Sequence, residues 1–250
     1  KKIELIGNFA SDWIRYSDYE YKITEEDFLS AEIEVVPAGK AKDLGIDKSM
    51  VISYGQDDRV CAFAGVKAIF EVEKPEYTAV TLCVDKEETG SYGNTGMHSK
   101  FFENTVAELI NLQGNYSDLK IKRAMSRSRI LSGDVNAAYD PNFSSVYEKA
   151  NSAHMGGGVA IMKYSGSRGK SGTSDANAEF VCEVRRIFNQ ENVVWQTGEL
   201  GKVDQGGGGT VAYILANYGA EVLDCGVGLL SMHAPYEVAS KADIFEMYRG

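Results

Sequence analysis

The chain has 250 residues, 44% of them hydrophobic, and a formal net charge of −10. That length can bury a large core, as one big domain or as one domain plus a fragment. The acidity excludes nucleic acid and membrane surfaces as main partners, because both need clustered positive charge. A small acidic substrate stays open, since one local Lys or Arg can hold it.

No apolar run is long enough to span a bilayer. The opening residues Lys1, Lys2, Ile3 and Glu4 mix both charges and lead into no apolar stretch, so no secretory signal is read there. The chain starts on Lys1 without an initiating methionine, and a portion of a longer polypeptide is expected. Cys61, Cys83, Cys182 and Cys225 lie far apart in apolar contexts and form no CxxC. Buried, reduced thiols in a cytoplasmic protein are expected, without a zinc–cysteine site.

Residues 1–30 are polar and aromatic, with Trp13, Tyr16, Tyr19 and Tyr21 in no clear period. Thr24 to Asp27 (TEED) resembles a capping box opening a short helix. Residues 31–36 alternate as a strand does, and Pro37 ends the run. Residues 38–47 read as a loop. Residues 1–50 are taken as a separate or incomplete unit.

From Met50 the pattern changes to strands alternating with helices. Strands are expected at 50–54, 78–84, 128–132, 158–164, 193–196 and 221–225. Helices are expected at 60–71, 104–112, 175–189, 210–218 and, at the end, 234–248. Strands alternating with helices and no hairpin signals predict an α/β fold, a mostly parallel sheet sandwiched by helices. A partial, β-rich second unit would stand at the N-terminus.

Two glycine-rich stretches suggest nucleotide binding and fail. GSRGKS at 166–171 needs a glycine five residues before Gly169, and that position is Tyr164. GVG at 226–228 has Ser231 where a dinucleotide fingerprint wants its third glycine. The SRSR run at 126–129 is too short for a nucleic-acid patch. No serine stands on a GxSxG elbow.

The stretch TAVTLCVDKEETGSY at 78–92 holds the chemistry. An apolar run breaks into Glu87 and Glu88, adjacent carboxylates that repel unless a cation faces them. A solvated acidic turn is the other reading of that pair. Asp57, Asp58, Asp134 and His233 also fall just past predicted strands. In a parallel sheet such loops emerge on one edge, so the side chains can converge. Carboxylates with imidazole suit Zn²⁺, Mn²⁺ or Co²⁺, and paired ions can share a bridging carboxylate and a bridging water.

Four motifs carry a resemblance: GQDDRVCA at 55–62, VDKEETGS at 84–91, SGDVNAAYDPN at 132–142 and LLSMHA at 229–234. In order and spacing they resemble the aspartyl aminopeptidase family, dinuclear-zinc exopeptidases that assemble as tetrahedral dodecamers. The resemblance runs from about Val51 to the end. It implies a zinc-exopeptidase-like catalytic domain over 51–250, with 1–50 the remnant of an inserted dimerisation domain and its connection. It implies an enzyme that removes N-terminal residues from peptides through a metal-bridged water, with two zinc ions per complete site.

Carried over by position, Asp57 would bridge both metals and Glu87 would be the general base. Glu88 and His233 would ligate one metal, and Asp134 the other. Lys163 falls where the family places a lysine facing the substrate; a solvated strand end is its other reading. His98 and His154 read as a surface and a loop histidine.

Two departures stand out. The other metal of the family takes a histidine from an HxD motif, and none precedes Asp57 here. Ala137 and Asp140 stand where relatives specific for acidic residues carry histidines. The first departure motivates the alternative that the chain is a non-catalytic assembly module of the same fold.

Overall fold

The computed structural model describes residues 24–168, 170–202 and 204–250. The aromatic run at residues 13–21 lies outside them. The helices are α1 (Glu25–Leu29), α2 (Gln56–Ile69), α3 (Phe101–Leu112), α4 (Asp118–Ser126), α5 (Ala178–Gln190), α6 (Ala212–Ala216) and α7 (Lys241–Arg249). The strands are β1 (Lys42–Leu44), β2 (Met50–Ser53), β3 (Arg129–Gly133), β4 (Asn136–Ala137) and β5 (Val159–Met162). They continue with β6 (Tyr164–Ser167), β7 (Ser171–Asp175), β8 (Trp195–Thr197), β9 (Glu221–Gly226), β10 (Gly228–Leu230) and β11 (Glu237–Ser240).

Two sheets form the mixed α/β body. One has the order β3-β9-β5-β8, the other β1-β2-β11-β10-β4, and β6 and β7 make a separate hairpin. The ladders β3–β9, β5–β8 and β10–β4 are parallel. Those of β5–β9, β1–β2, β2–β11, β10–β11 and β6–β7 are antiparallel. The sheets are therefore mixed rather than mostly parallel.

Strand β9 is the core of the first sheet. Its residues 222–226 are all buried, the Asp224 carboxylate among them accepting bonds from the Ser165 hydroxyl at 3.0 Å and the Thr210 hydroxyl at 2.8 Å. Helix α5 lays Phe180, Val184 and Phe188, an i, i+4, i+8 stripe, on Val159, Ile161, Leu223 and Cys225. Leu223 is fully buried there. Leu223→Ala is expected to cost about 2–5 kcal/mol by leaving a cavity, read as a lower urea midpoint with an unchanged slope. A second cluster joins the sheets: Val60 and Cys61 of α2 with Val135, Val227, Leu229 and Ala239, against Ile244 and Met247 of α7.

Local signals account for the helix starts. Thr24 and Asp27 form the expected reciprocal capping box of α1. Ser117 and Ser240 cap α4 and α7 through their hydroxyls. The Asp243 carboxylate, buried in the first turn of α7, accepts bonds from the N–H groups of Gly156 (2.7 Å) and Gly158 (2.9 Å), tying α7 to the entry of β5.

Several expectations are corrected. Of residues 78–84 only Leu82 and Val84 turn inward, 78–81 being exposed, and the stretch has no ladder partner among the described residues. A strand needs a neighbour as well as a period. Residues 31–36 are likewise without an assigned element. The supposed loop at 38–47 contains β1, which pairs with β2. The stretch 234–248 opens as strand β11 before α7 begins. The GSRGKS stretch spans the β6–β7 hairpin connection, with Gly169 itself outside the described residues. All four cysteines are free, but only Cys61 and Cys225 are buried; Cys83 and Cys182 are exposed. No helix among the described residues is long and apolar enough to cross a membrane.

Candidate metal centre

The connections of the second sheet bring the candidate ligands together. Strand β2 runs into Gly55, which takes a left-handed φ of 65° and turns the chain into α2. Asp57 and Asp58 follow at once, joined by a cis peptide bond and outside helical geometry. Strand β11 pairs with β2 so that Glu237 lies opposite Ser53. The β10–β11 connection, which carries His233, thereby stands beside the turn that carries Asp57. Antiparallel pairing builds this juxtaposition, in place of the common edge of a parallel sheet.

The other acids arrive on separate loops. Glu87 and Glu88 lie in a single 3₁₀ turn, Glu87–Thr89, flanked by Lys86 and Gly90, both left-handed. The turn is closed by the N–H of Ser91 donating to the Lys86 carbonyl at 2.7 Å. Asp134 follows β3, and its backbone passes against the end of β9. A Cβ on Gly226 would stand 1.7 Å from the Asp134 carbonyl oxygen, so only glycine admits that approach.

Nε2 of His233 lies 2.9 Å from Oδ2 of Asp57 and 3.0 Å from Oε1 of Glu88. A ring nitrogen directs one hydrogen or one metal bond, so two carboxylate oxygens facing it ask for a cation between them. These separations approach the roughly 3.3 Å between ligand atoms of a tetrahedral zinc with bonds of about 2.0–2.1 Å. Asp57, Asp58 and Asp134 form an adjoining group, with oxygens within 4.8 Å of one another. Asp57 belongs to both groups.

The electrostatics fit a cation. Burial, then the charge of Glu88, pushes the Asp57 carboxyl up to about 7, and His233 partly offsets this. Asp58 is also pushed up to about 7, by burial first, with Asp57 and Glu87 adding to it. Asp134 is raised well above the ordinary carboxyl range by burial and then by Asp58, Asp57 and Glu87. Glu87 is raised by burial and by Glu88. Oδ1 of Asp58 is buried without a hydrogen-bond partner. Acids crowded in this way carry a penalty that a divalent ion reverses.

Of the residues expected from the sequence, Asp57, Glu88 and His233 meet at one point, and Asp134 meets Asp57 beside it. Lys163 does not join them through any described contact. It stands exposed between β5 and β6, and its ammonium pairs with Asp175. His98 stacks on Tyr92, and its Nε2 lies 3.1 Å from the Tyr213 hydroxyl. His154 packs against Tyr139. Asp58, expected to converge with the others but given no role, joins the acidic group, and sequence reasoning missed one contributor, Glu237, buried at the start of β11. The signal for Glu237 was an acid opening a strand four residues after His233.

A mixed α/β body carrying such a carboxylate–imidazole cluster is built as metal-dependent hydrolases are. The sequence profile described as "Aminopeptidase I zinc metalloprotease (M18)" matches residues 5–249. The chain belongs to the M18 aminopeptidase family. A probable M18 family aminopeptidase 1 of Clostridium acetobutylicum is 60% identical over 231 residues, 92% of this chain and 50% of that protein. The crystal structure of aminopeptidase I from Clostridium acetobutylicum matches with a TM-score of 0.87 at 56% identity, covering 95% of this chain and 51% of that one. The M18 aminopeptidase structure from Thermotoga maritima gives a TM-score of 0.90 at 43% identity, covering 98% and 56%. The chain spans about half the length of the relatives it matches.

Proposed function

We propose that this polypeptide works as a zinc-dependent aminopeptidase, releasing N-terminal residues from peptides. The observation that carries this reading is the meeting of Asp57, Glu88 and His233 around one point, with Glu87 next to Glu88. Asp57, Glu88 and His233 would hold one ion, and Asp57 with Asp134 would share in holding a second. When bound, the ions supply Lewis acidity toward the scissile carbonyl and make a water molecule more acidic.

The remaining steps belong to the chain. Glu87 takes a proton from the attacking water on its carboxylate. The water oxygen bonds to the carbonyl carbon, the C–N bond breaks, and Glu87 returns the proton to the leaving amine. Its raised pKa, from burial and Glu88, suits a group that must accept a proton and give it back. Lys163, drawn away from Asp175, would pair with an acidic side chain of the substrate. The preference for acidic residues belongs to the same reading, with Ala137 and Asp140 as its departures.

Residues 51–250 would form the catalytic domain and residues 1–50 the end of an inserted dimerisation domain. Assembly as a homo-oligomer, a tetrahedral dodecamer in the family the chain resembles, is part of the proposal. The exposed Phe63, Phe70 and Leu112 are apolar side chains that further protein would cover. Four cysteines free of disulfides support a cytoplasmic setting.

The test is zinc-dependent hydrolysis of aminoacyl substrates with free and blocked N-termini. Release from the free substrate alone, abolished by a chelator and restored by zinc, is the expected result. Zinc binding without hydrolysis would favour the non-catalytic assembly module, which the acidic group Asp57–Asp58–Asp134 motivates by containing no histidine. No zinc uptake at all would end the metallopeptidase reading.

A further inference from the structure

We propose that Glu237 is a positioning residue of the metal centre, its carboxylate strapping the turn that carries Asp57 to the turn that carries His233. The inference rests on the aminopeptidase reading and adds a residue which that reading does not use.

Glu237 is 2% exposed. Its Oε2 accepts bonds from the backbone N–H groups of Gln56 at 2.6 Å and Asp57 at 3.2 Å. Its Oε1 accepts the N–H of His233 at 2.8 Å. One carboxylate thus holds two residues of the β2–α2 turn with one oxygen and the β10–β11 turn with the other. The main chain of Glu237 is fixed as well, because Nε2 of Gln56 donates to its carbonyl at 2.6 Å and to that of Val51 at 3.2 Å.

A buried carboxylate is expensive unless its oxygens are satisfied. No ion pair among the described residues includes Glu237, so backbone donors do the compensating. Those donors lie in two turns, at the head of α2 and in the β10–β11 connection. His233 sits at a φ of 65°, a left-handed conformation that a side-chain-bearing residue rarely adopts unless its surroundings fix it. The bond from its N–H to Glu237 is one such constraint. Asp57 is likewise outside helical geometry at the head of α2. An apolar residue at position 237 would fill the core at lower cost but leave three N–H groups unpaired. Supports of this kind, one step behind the ligands, set ligand geometry and with it metal affinity.

Glutamine is the sharp substitution. It keeps the shape but turns one oxygen into an NH₂ group that faces an N–H donor. The experiment measures zinc affinity by competition with a chromophoric chelator, alongside kcat and KM, on the intact protein as wild type, Glu237→Gln and His233→Ala. The expected result for Glu237→Gln is a folded protein whose zinc affinity falls about 10–100-fold, with kcat restored by excess zinc and KM near wild type. A purely structural role would lower Tm and leave the zinc affinity of the folded protein untouched.

If wild type binds zinc, His233→Ala loses it and Glu237→Gln matches wild type, the aminopeptidase reading stands and the role given to Glu237 is overturned. If wild type takes up no zinc, both fall together. Should Glu237→Gln not fold, Glu237→Asp, which keeps the charge and withdraws the carboxylate by one methylene, is measured in the same way. Failure of both to fold would mark Glu237 as a core stabiliser and overturn the assignment.

Discussion

Glu87→Gln is expected to lower kcat on an aminoacyl substrate about 10²–10⁴-fold, the range for losing a positioned general acid–base group. Zinc content and Tm should stay near wild type. Gln matches Glu in shape and cannot take up a proton. Glu87 lies in the 3₁₀ turn beside Glu88, half-buried and outside the Asp57–Glu88–His233 group. Removing its charge also relieves repulsion, because Asp58 and Asp134 are both raised in part by Glu87. Stability should therefore hold or rise slightly while turnover collapses. Metal analysis and single-turnover hydrolysis on the same preparation separate the two effects. Undiminished turnover would remove Glu87 from the role of base. Loss of zinc along with turnover would recast it as a ligand.

The sequence made β9 and α5 legible because their signals are local. A strand-length segment after the helix-closing Gly219 marks the first, and the stripe Phe180–Val184–Phe188 marks the second. The acids were legible for a similar reason, since each follows a short strand or turn that its own neighbours define. What stayed hidden is set by distant partners. Strand direction in the β2–β11–β10 sheet depends on pairing between residues nearly two hundred positions apart, and no period encodes it. Residues 234–240 lost their strand to a helix that starts one residue later, as helix and strand patterns are hard to separate in short segments. Residues 78–84 show the converse, an apolar run of strand length with no described neighbour to pair with. Convergence of Asp57 with His233 was thus anticipated by chemistry while the route to it was not. Glu237 escaped notice because its partners are main-chain groups, which leave no mark in side-chain patterns.

Chelation of the metal is expected to lower Tm by roughly 8–16 °C. An ion present at about 1,000 times its Kd contributes about 4 kcal/mol to the folded state, and each kcal/mol moves Tm by about 2–4 °C in a chain of this size. The physical source is the acidic cluster. Asp57, Asp58 and Asp134 all have carboxyls raised mainly by burial, and each is raised further by neighbouring acids. Without a cation those charges must be neutralised by protons or left to repel one another. Folding brings them together, so the cost falls on the native state alone. Calorimetry with and without a chelator, followed by titration of zinc back to saturation, reads the effect. Asp57→Asn is the companion variant: it removes the carboxylate common to both groups, so it should lose most of the zinc-dependent shift while melting higher than the chelated wild type. A chelated protein that melts at the same temperature as the zinc-loaded one would show that Asp57, Asp58 and Asp134 hold no ion. Their burial would then have to be balanced by protons instead.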